Sequence, residues 1–138
     1  MKLLQTIFVT LTQEEVNFSG HAIELRINAE DPDQDFKPCP GLVDTLRFPN
    51  DDGIRVDSHL TSGDRIPPQY DSMIAKLIIH APTRALAIEQ ALIALEGTTI
   101  DGVTTNLDLH RRILTWKPFV DGDYNTTSLE NDLLAGGA

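Results

Sequence analysis

Residues 20–32 read GHAIELRINAEDP, and the way this run alternates decides the fold. Ile23, Leu25, Ile27 and Ala29 fall on one side of an extended chain. Ala22, Glu24, Arg26 and Asn28 fall on the other. A period of two over this length predicts a strand across residues 21–29 with one buried and one open face. The open face sets Glu24 and Arg26 two residues apart, about 6.5–7 Å along the strand. Two readings of that face stand side by side. It is a solvated ion pair, or it is an arginine fixed so that its planar guanidinium meets a planar anion. Glu30-Asp31-Pro32 closes the strand, because proline cannot donate to a central ladder.

Outward from this strand, the first half of the chain is strand and turn. Upstream, residues 4–11 read as a short strand or an irregular arm, and Thr12-Gln13-Glu14-Glu15 as a polar turn. Downstream, residues 33–41 form a loop punctuated by Pro38, Pro40 and Gly41. Residues 42–48 and 54–60 are predicted as two strands of a hairpin. Its turn is Asn50-Asp51-Asp52-Gly53, where glycine supplies positive φ. A turn at Ser62-Gly63-Asp64 leads to a short strand at Arg65-Ile66, ended by Pro67-Pro68. Residues 70–80, YDSMIAKLIIH, are nearly continuous in apolar side chains, which predicts a central strand buried on both faces. Lys76 interrupts the run. It reads either as an edge position or snorkelling stem, or as the partner of a carboxylate or of a substrate anion.

The second half turns helical. Residues 84–96 are rich in Ala and Leu, and Ile88, Ala91, Leu92 and Leu95 form a core stripe at helical spacing, stopped by Gly97. A short strand follows over residues 98–101. Thr105 is placed to cap a second helix over residues 106–115, with Asp108 in its first turn. Residues 116–123 read as loop. Thr127 and Glu130 have capping-box spacing ahead of a last short helix towards Leu134, and residues 135–138 should fray. Strands first and helices second make an α+β fold with a mainly antiparallel sheet.

Composition narrows the function classes. In 138 residues, 21 acidic side chains stand against 11 basic ones, for a formal charge of −10. Such a surface argues against a nucleic-acid partner, which draws on clustered Lys and Arg. Cys39 is the single cysteine, so no intrachain disulfide forms and no metal or redox spacing exists. The histidines (His21, His59, His80, His110) are scattered, and no metal site is expected. No apolar run nears the roughly 20 residues that span a bilayer. Residues 1–11 lack a cleavage site, so a cytoplasmic protein is expected. Glycine-rich phosphate loops and nucleophile elbows are missing. Spacing alone leaves one arginine of interest, Arg26, and one pair, Tyr70-Asp71.

Motif order adds more. Residues 20–32, then 36–41 (FKPCPG), 53–58 (GIRVDS), 67–77 (PPQYDSMIAKL), 100–106 (IDGVTTN) and 123–130 (DYNTTSLE) resemble, in sequence order, the C-terminal domain of biotin carboxylase. That is the ATP-grasp component of acetyl-CoA, propionyl-CoA and pyruvate carboxylases. The likeness covers about residues 13–134. It implies a domain over residues 13–138 behind a non-family arm over residues 1–12.

The resemblance implies a chemistry. Biotin carboxylase makes carboxyphosphate from ATP and bicarbonate and carboxylates N1′ of biotin held on a carrier protein. Arg26 matches the arginine that faces the biotin ureido group. Glu24 is expected to orient it or pair with it. Asp71, supported by Tyr70, is the second candidate for the biotin side of the cleft, or else a strand-entry cap. Arg55 matches a dimer-interface position, or else is a solvated strand arginine. The ATP- and Mg-binding residues of the family belong to an ATP-grasp domain, and none of its motifs lies in residues 1–138. The chain resembles a C-terminal domain separated from that part, and alone it is expected to be inactive. Implied partners are the ATP-grasp and N-terminal domains, biotin carboxyl carrier protein, a carboxyltransferase and a second copy in a homodimer. The carboxyltransferase chooses the acyl-CoA or keto acid, so the acetyl-CoA carboxylase of fatty acid biosynthesis is one parent among several. The alternative is a stand-alone, non-catalytic module that docks a biotin carrier protein or mediates oligomerisation.

Overall fold

The computed structural model describes residues 11–135. The strand or arm expected over residues 4–11 lies outside that range apart from Leu11. So does the expected fraying beyond Ala135.

The alternating run forms β1, His21–Asn28. Ile23, Leu25 and Ile27 are buried, while Ala22, Glu24 and Arg26 are exposed. After β1 come the short strands β2 (Glu30–Asp31), β3 (Lys37–Pro38), β4 (Gly41–Leu42) and β5 (Thr45–Arg47). Then come β6 (Ile54–Ser58), β7 (Arg65–Ile66) and the long β8 (Met73–Ala81). Helix α1 (Arg84–Glu96), strand β9 (Thr99–Asp101), and helices α2 (Leu107–Thr115) and α3 (Lys117–Asp121) follow. A π-helical segment, Leu129–Leu134, closes the described chain. Every strand pair is antiparallel, so the fold is α+β as expected.

The principal sheet has the order β1-β8-β6. β8 is central, as its apolar run implies, but it is not covered on both faces. Ile74, Ala75, Leu77, Ile79 and Ala81 are buried beneath α1, whereas Lys76 and Ile78 are only partly covered and His80 is exposed. α1 supplies Ala87, Ile88, Ala91, Ala94 and Leu95 to the same core, and Leu92 packs at its margin. Thr83 caps this helix by accepting from the Leu86 amide at 3.3 Å.

The hairpin expected from residues 42–48 and 54–60 does not form. Gly53 does adopt positive φ (+81°) at the turn, yet the flanking strands take other partners. β4 pairs with β7, β5 with β9, and β6 with β8. The chain changes partner at Val43 and Asp44, whose amides donate to the carbonyls of Asp64 (2.8 Å) and Asp101 (2.9 Å). Gly102 permits that crossing. It holds φ at +96°, and a Cβ there would sit 2.2 Å from the Leu42 carbonyl oxygen.

The predicted loop at residues 116–123 contains α3. Its signals are Pro118 in the first turn and Gly122 at positive φ just past the end. The expected box of Thr127 and Glu130 is not used. Ser128 precedes the closing segment and its hydroxyl accepts from the Asn125 amide at 2.9 Å. Arg84, the first residue of α1, lies over the rings of Phe119 (4.6 Å) and Tyr124 (5.8 Å), which ties this end of the chain back to the sheet.

α2 begins one residue later than predicted, with Asn106 rather than Thr105 in the cap position. It is pinned to the outer edge of β1. The His110 Nε2 lies 2.9 Å from the Arg26 carbonyl oxygen, which can only accept, so Nε2 carries the proton. Burial holds the His110 pKa below the ordinary histidine range, and the bond to the Arg26 carbonyl offsets this in part.

Three outcomes are expected. Leu77 is fully buried, so Leu77→Ala should cost about 2–5 kcal/mol in urea unfolding. Ile93→Ala on the open side of α1, 56% exposed, should cost under about 0.5 kcal/mol. For His110, the folded pKa lies below the unfolded value of about 6.5, so the unfolded chain takes up the proton first as pH falls. Its contribution to stability is therefore full above about pH 6.5 and is lost as pH drops through the folded value. Urea midpoints taken from about pH 7 to 5 should decline less steeply in His110→Gln. An unchanged slope would put the acid sensitivity elsewhere.

Candidate functional site

The open face of the principal sheet carries the candidate residues in cross-strand rows. Register sets Arg26 opposite Lys76, and Lys76 opposite Asp57. The next row sets Glu24, Ile78 and Arg55 side by side. Neighbouring strands lie about 4.8 Å apart, so charges in adjacent rows are within reach of one another.

These groups do not pair as the sequence suggested. Glu24 does not hold Arg26. Its Oε1 is 3.6 Å from Lys76 Nζ, across the ladder. Lys76 stands diagonally across the ladder from Glu24, where its long side chain reaches the carboxylate. This also settles Lys76, which partners an acid. Arg55 is bound along its own strand to Asp57, Nε to Oδ1 at 2.9 Å and Nη2 to Oδ2 at 2.7 Å. That fork holds the Asp57 carboxyl below the usual carboxylate range. The Arg55 side chain is 72% exposed, so the pair is a surface feature of β6.

Arg26 is brought together with Asp71. Its Nη2 stands 4.0 Å from Asp71 Oδ2, with the two side chains 53% and 66% exposed. At that distance and exposure the contact is weak, and the guanidinium remains open to another anion. Asp71 does two things. Its Oδ1 accepts from the Met73 amide at 2.9 Å, capping the entry to β8, while Oδ2 turns towards Arg26. Tyr70 does not support it. The ring is 81% exposed and makes no hydrogen bond to Asp71. Beside Asp71, Leu60, Ile66, Pro67 and Met73 line an apolar cleft of about 300 Å³.

A second tier of residues went unnoticed in the sequence. Asn106 is buried, accepts from the Asn28 amide at 2.9 Å and donates to the Arg26 carbonyl at 3.1 Å. The Glu30 carboxylate takes the Ser72 hydroxyl and the Asn28 side-chain amide, and the Ala29 amide donates to the Ser72 carbonyl at 2.8 Å. The strand bearing Arg26 and the loop bearing Asp71 are thereby joined. Among the described residues no group of three or more His, Cys, Asp or Glu converges as metal ligands. No described helix is long and apolar enough to cross a membrane.

Known proteins share this fold. The profile of the biotin carboxylase C-terminal domain matches residues 24–131. The biotin carboxylase of Haemophilus influenzae is 47% identical over 125 residues, covering 91% of this chain and 28% of the relative. Among solved structures, the biotin carboxylase domain dimer of Hydrogenobacter thermophilus 2-oxoglutarate carboxylase, in complex with MgADP, ADP and bicarbonate, superposes with a TM-score of 0.88. It is 41% identical, over 91% of this chain and 28% of that one. The biotin carboxylase subunit of a pyruvate carboxylase gives 0.86 at 44% identity, over 88% and 27%. The chain thus spans somewhat over a quarter of the length of the relatives it matches. With the motifs, the antiparallel sheet and the profile in agreement, this chain belongs to the biotin carboxylase C-terminal domain family.

Proposed function

We propose that this domain supplies Arg26 to a biotin-carboxylation site completed by an ATP-grasp domain. The observation that carries the reading is the state of that guanidinium. It stands on a rigid strand beside Asp71 and an apolar cleft, with no close ion pair among the described residues to neutralise it. Removing the proton from N1′ of biotin places negative charge on the ureido oxygen. A preorganised guanidinium at that oxygen favours the charged state, and its fork suits a planar acceptor.

The other residues take supporting parts in this reading. Asp71 keeps Arg26 aimed at the cleft mouth and is exchanged for the ureido oxygen when biotin enters. Tyr70 is free to lie against the bicyclic ring or the arm of biotin. Glu24 acts on Arg26 only indirectly, by drawing Lys76 away from it. Arg55 faces a second copy in a homodimer. ATP and Mg belong to the ATP-grasp domain, and biotin arrives on its carrier protein before passing to a carboxyltransferase. We place the assembly in the cytoplasm and the domain from about residue 13 onwards. Acetyl-CoA carboxylase of fatty acid biosynthesis is one parent that fits, alongside pyruvate and 2-oxoglutarate carboxylases.

The test joins this chain behind the ATP-grasp portion of a related biotin carboxylase and follows carboxylation of free biotin. Arg26→Gln removes the fixed charge while roughly keeping side-chain shape. It should leave folding intact and lower turnover by about 10²–10³-fold, the usual cost of one such donor. Normal turnover in that variant would remove Arg26 from the chemistry and favour a docking module.

A further inference from the structure

We infer that Asn106 is a positioning residue for Arg26, acting as a surrogate strand on the open edge of β1. The inference rests on the reading of Arg26 given above and adds a residue to the same site.

Among the described residues β1 is the outermost strand of the principal sheet, so its outward carbonyl and amide groups have no ladder partner there. The ladder on the other side is also weakest just beyond Arg26. Register runs Arg26↔Lys76 and Ile27↔Ala75, then jumps to Asn28↔Met73, leaving Ile74 as an extra residue. A bulge at that point lets the strand bend and twist, and with it the direction of the Arg26 side chain.

Asn106 meets that place with three bonds. Its Nδ2 donates to the Arg26 carbonyl at 3.1 Å, and its Oδ1 accepts from the Asn28 amide at 2.9 Å. Its own backbone amide donates to the Asn28 carbonyl at 3.2 Å. A neighbouring strand would offer the same groups, a donor for residue i and an acceptor for residue i+2. His110 adds the second donor to the Arg26 carbonyl, so both lone pairs are used.

Asparagine in an N-cap position ordinarily turns its side chain back to accept from its own helix. Asn106 occupies that position of α2 and makes no such bond. Its amide is instead committed, in a buried setting, to the two residues that flank Ile27. Among the described residues the guanidinium itself is held only by the 4.0 Å contact to Asp71. The backbone clamp therefore does most to decide where Arg26 points.

The experiment uses the joined enzyme with free biotin and a double-mutant cycle. Asn106→Asp keeps the acceptor for Asn28 and sets a carboxylate against the Arg26 carbonyl. It should lower kcat for biotin carboxylation by about 10–10²-fold, as misplacement of about 1 Å does. ATP cleavage measured without biotin should stay near the parent rate. In an Arg26→Gln background the added loss should vanish, because there is no guanidinium left to misplace. Equal damage to biotin-free ATP cleavage, or a full further loss in the Arg26→Gln background, would overturn the proposal. So would full activity of Asn106→Asp beside an inactive Arg26→Gln, which leaves the reading of Arg26 standing. If Arg26→Gln is itself fully active, that reading falls and takes the clamp with it. Should Asn106→Asp not fold, His110→Phe and His110→Gln replace it. The first should lose about tenfold, the worth of one hydrogen bond, and the second should recover it by keeping a donor. Equal loss in both would overturn the proposal.

Discussion

The pairing of β1 with β8 is the constraint on which the rest depends. Seven residues of β1, His21 to Ile27, lie in unbroken register with β8 from His21↔Ala81 onwards, and Asn28 rejoins the ladder past one extra residue. Because side chains alternate, that one register fixes two surfaces at once. Ile23, Leu25 and Ile27 join Leu77 and Ile79 under α1, and Glu24 and Arg26 are forced onto the opposite face beside Lys76. A slip of one residue would bury Glu24 and Arg26 and expose the core. The cost of burying unpaired charge thus protects the position of the arginine as strongly as the apolar core does.

The same register distributes charge on the open face. Lys76 is occupied by Glu24, and Arg55 by Asp57. Arg26 has the longest of the three contacts, to Asp71. In a chain of net charge −10, Arg26 keeps only this long, exposed contact among the described residues. Such a group gives up only a weak contact to meet a developing anion, which favours electrostatic stabilisation of a transition state. The bonds from Asn106 and Glu30 around it are half-buried, where hydrogen bonds hold geometry better than exposed ion pairs do.

Much of this was legible in the sequence, and the reason is local. β1, β8 and α1 announce themselves by periodicity within a single run, and their core faces follow directly. Partner choice is not local. Residues 42–48 and 54–60 look like a hairpin around Gly53, but the chain switches ladder at Val43 and Asp44 through contacts with Asp64 and Asp101. The pairing of Glu24 with Lys76 instead of Arg26 depends on register between strands far apart in sequence. The clamp on Arg26 joins residues 80 and 84 positions apart, and no spacing rule reaches that far. α3 is a different case. Pro118 and Gly122 were visible and mark a short helix, but five residues are too few for an amphipathic pattern to stand out.

The most direct measurement is a structure of the joined enzyme with free biotin bound. The Arg26 guanidinium is expected within about 2.7–3.1 Å of the ureido oxygen, having left Asp71, with its backbone still held by Asn106. Biotin seated with its ureido group away from Arg26, and Arg26 still on Asp71, would contradict the role assigned to this strand.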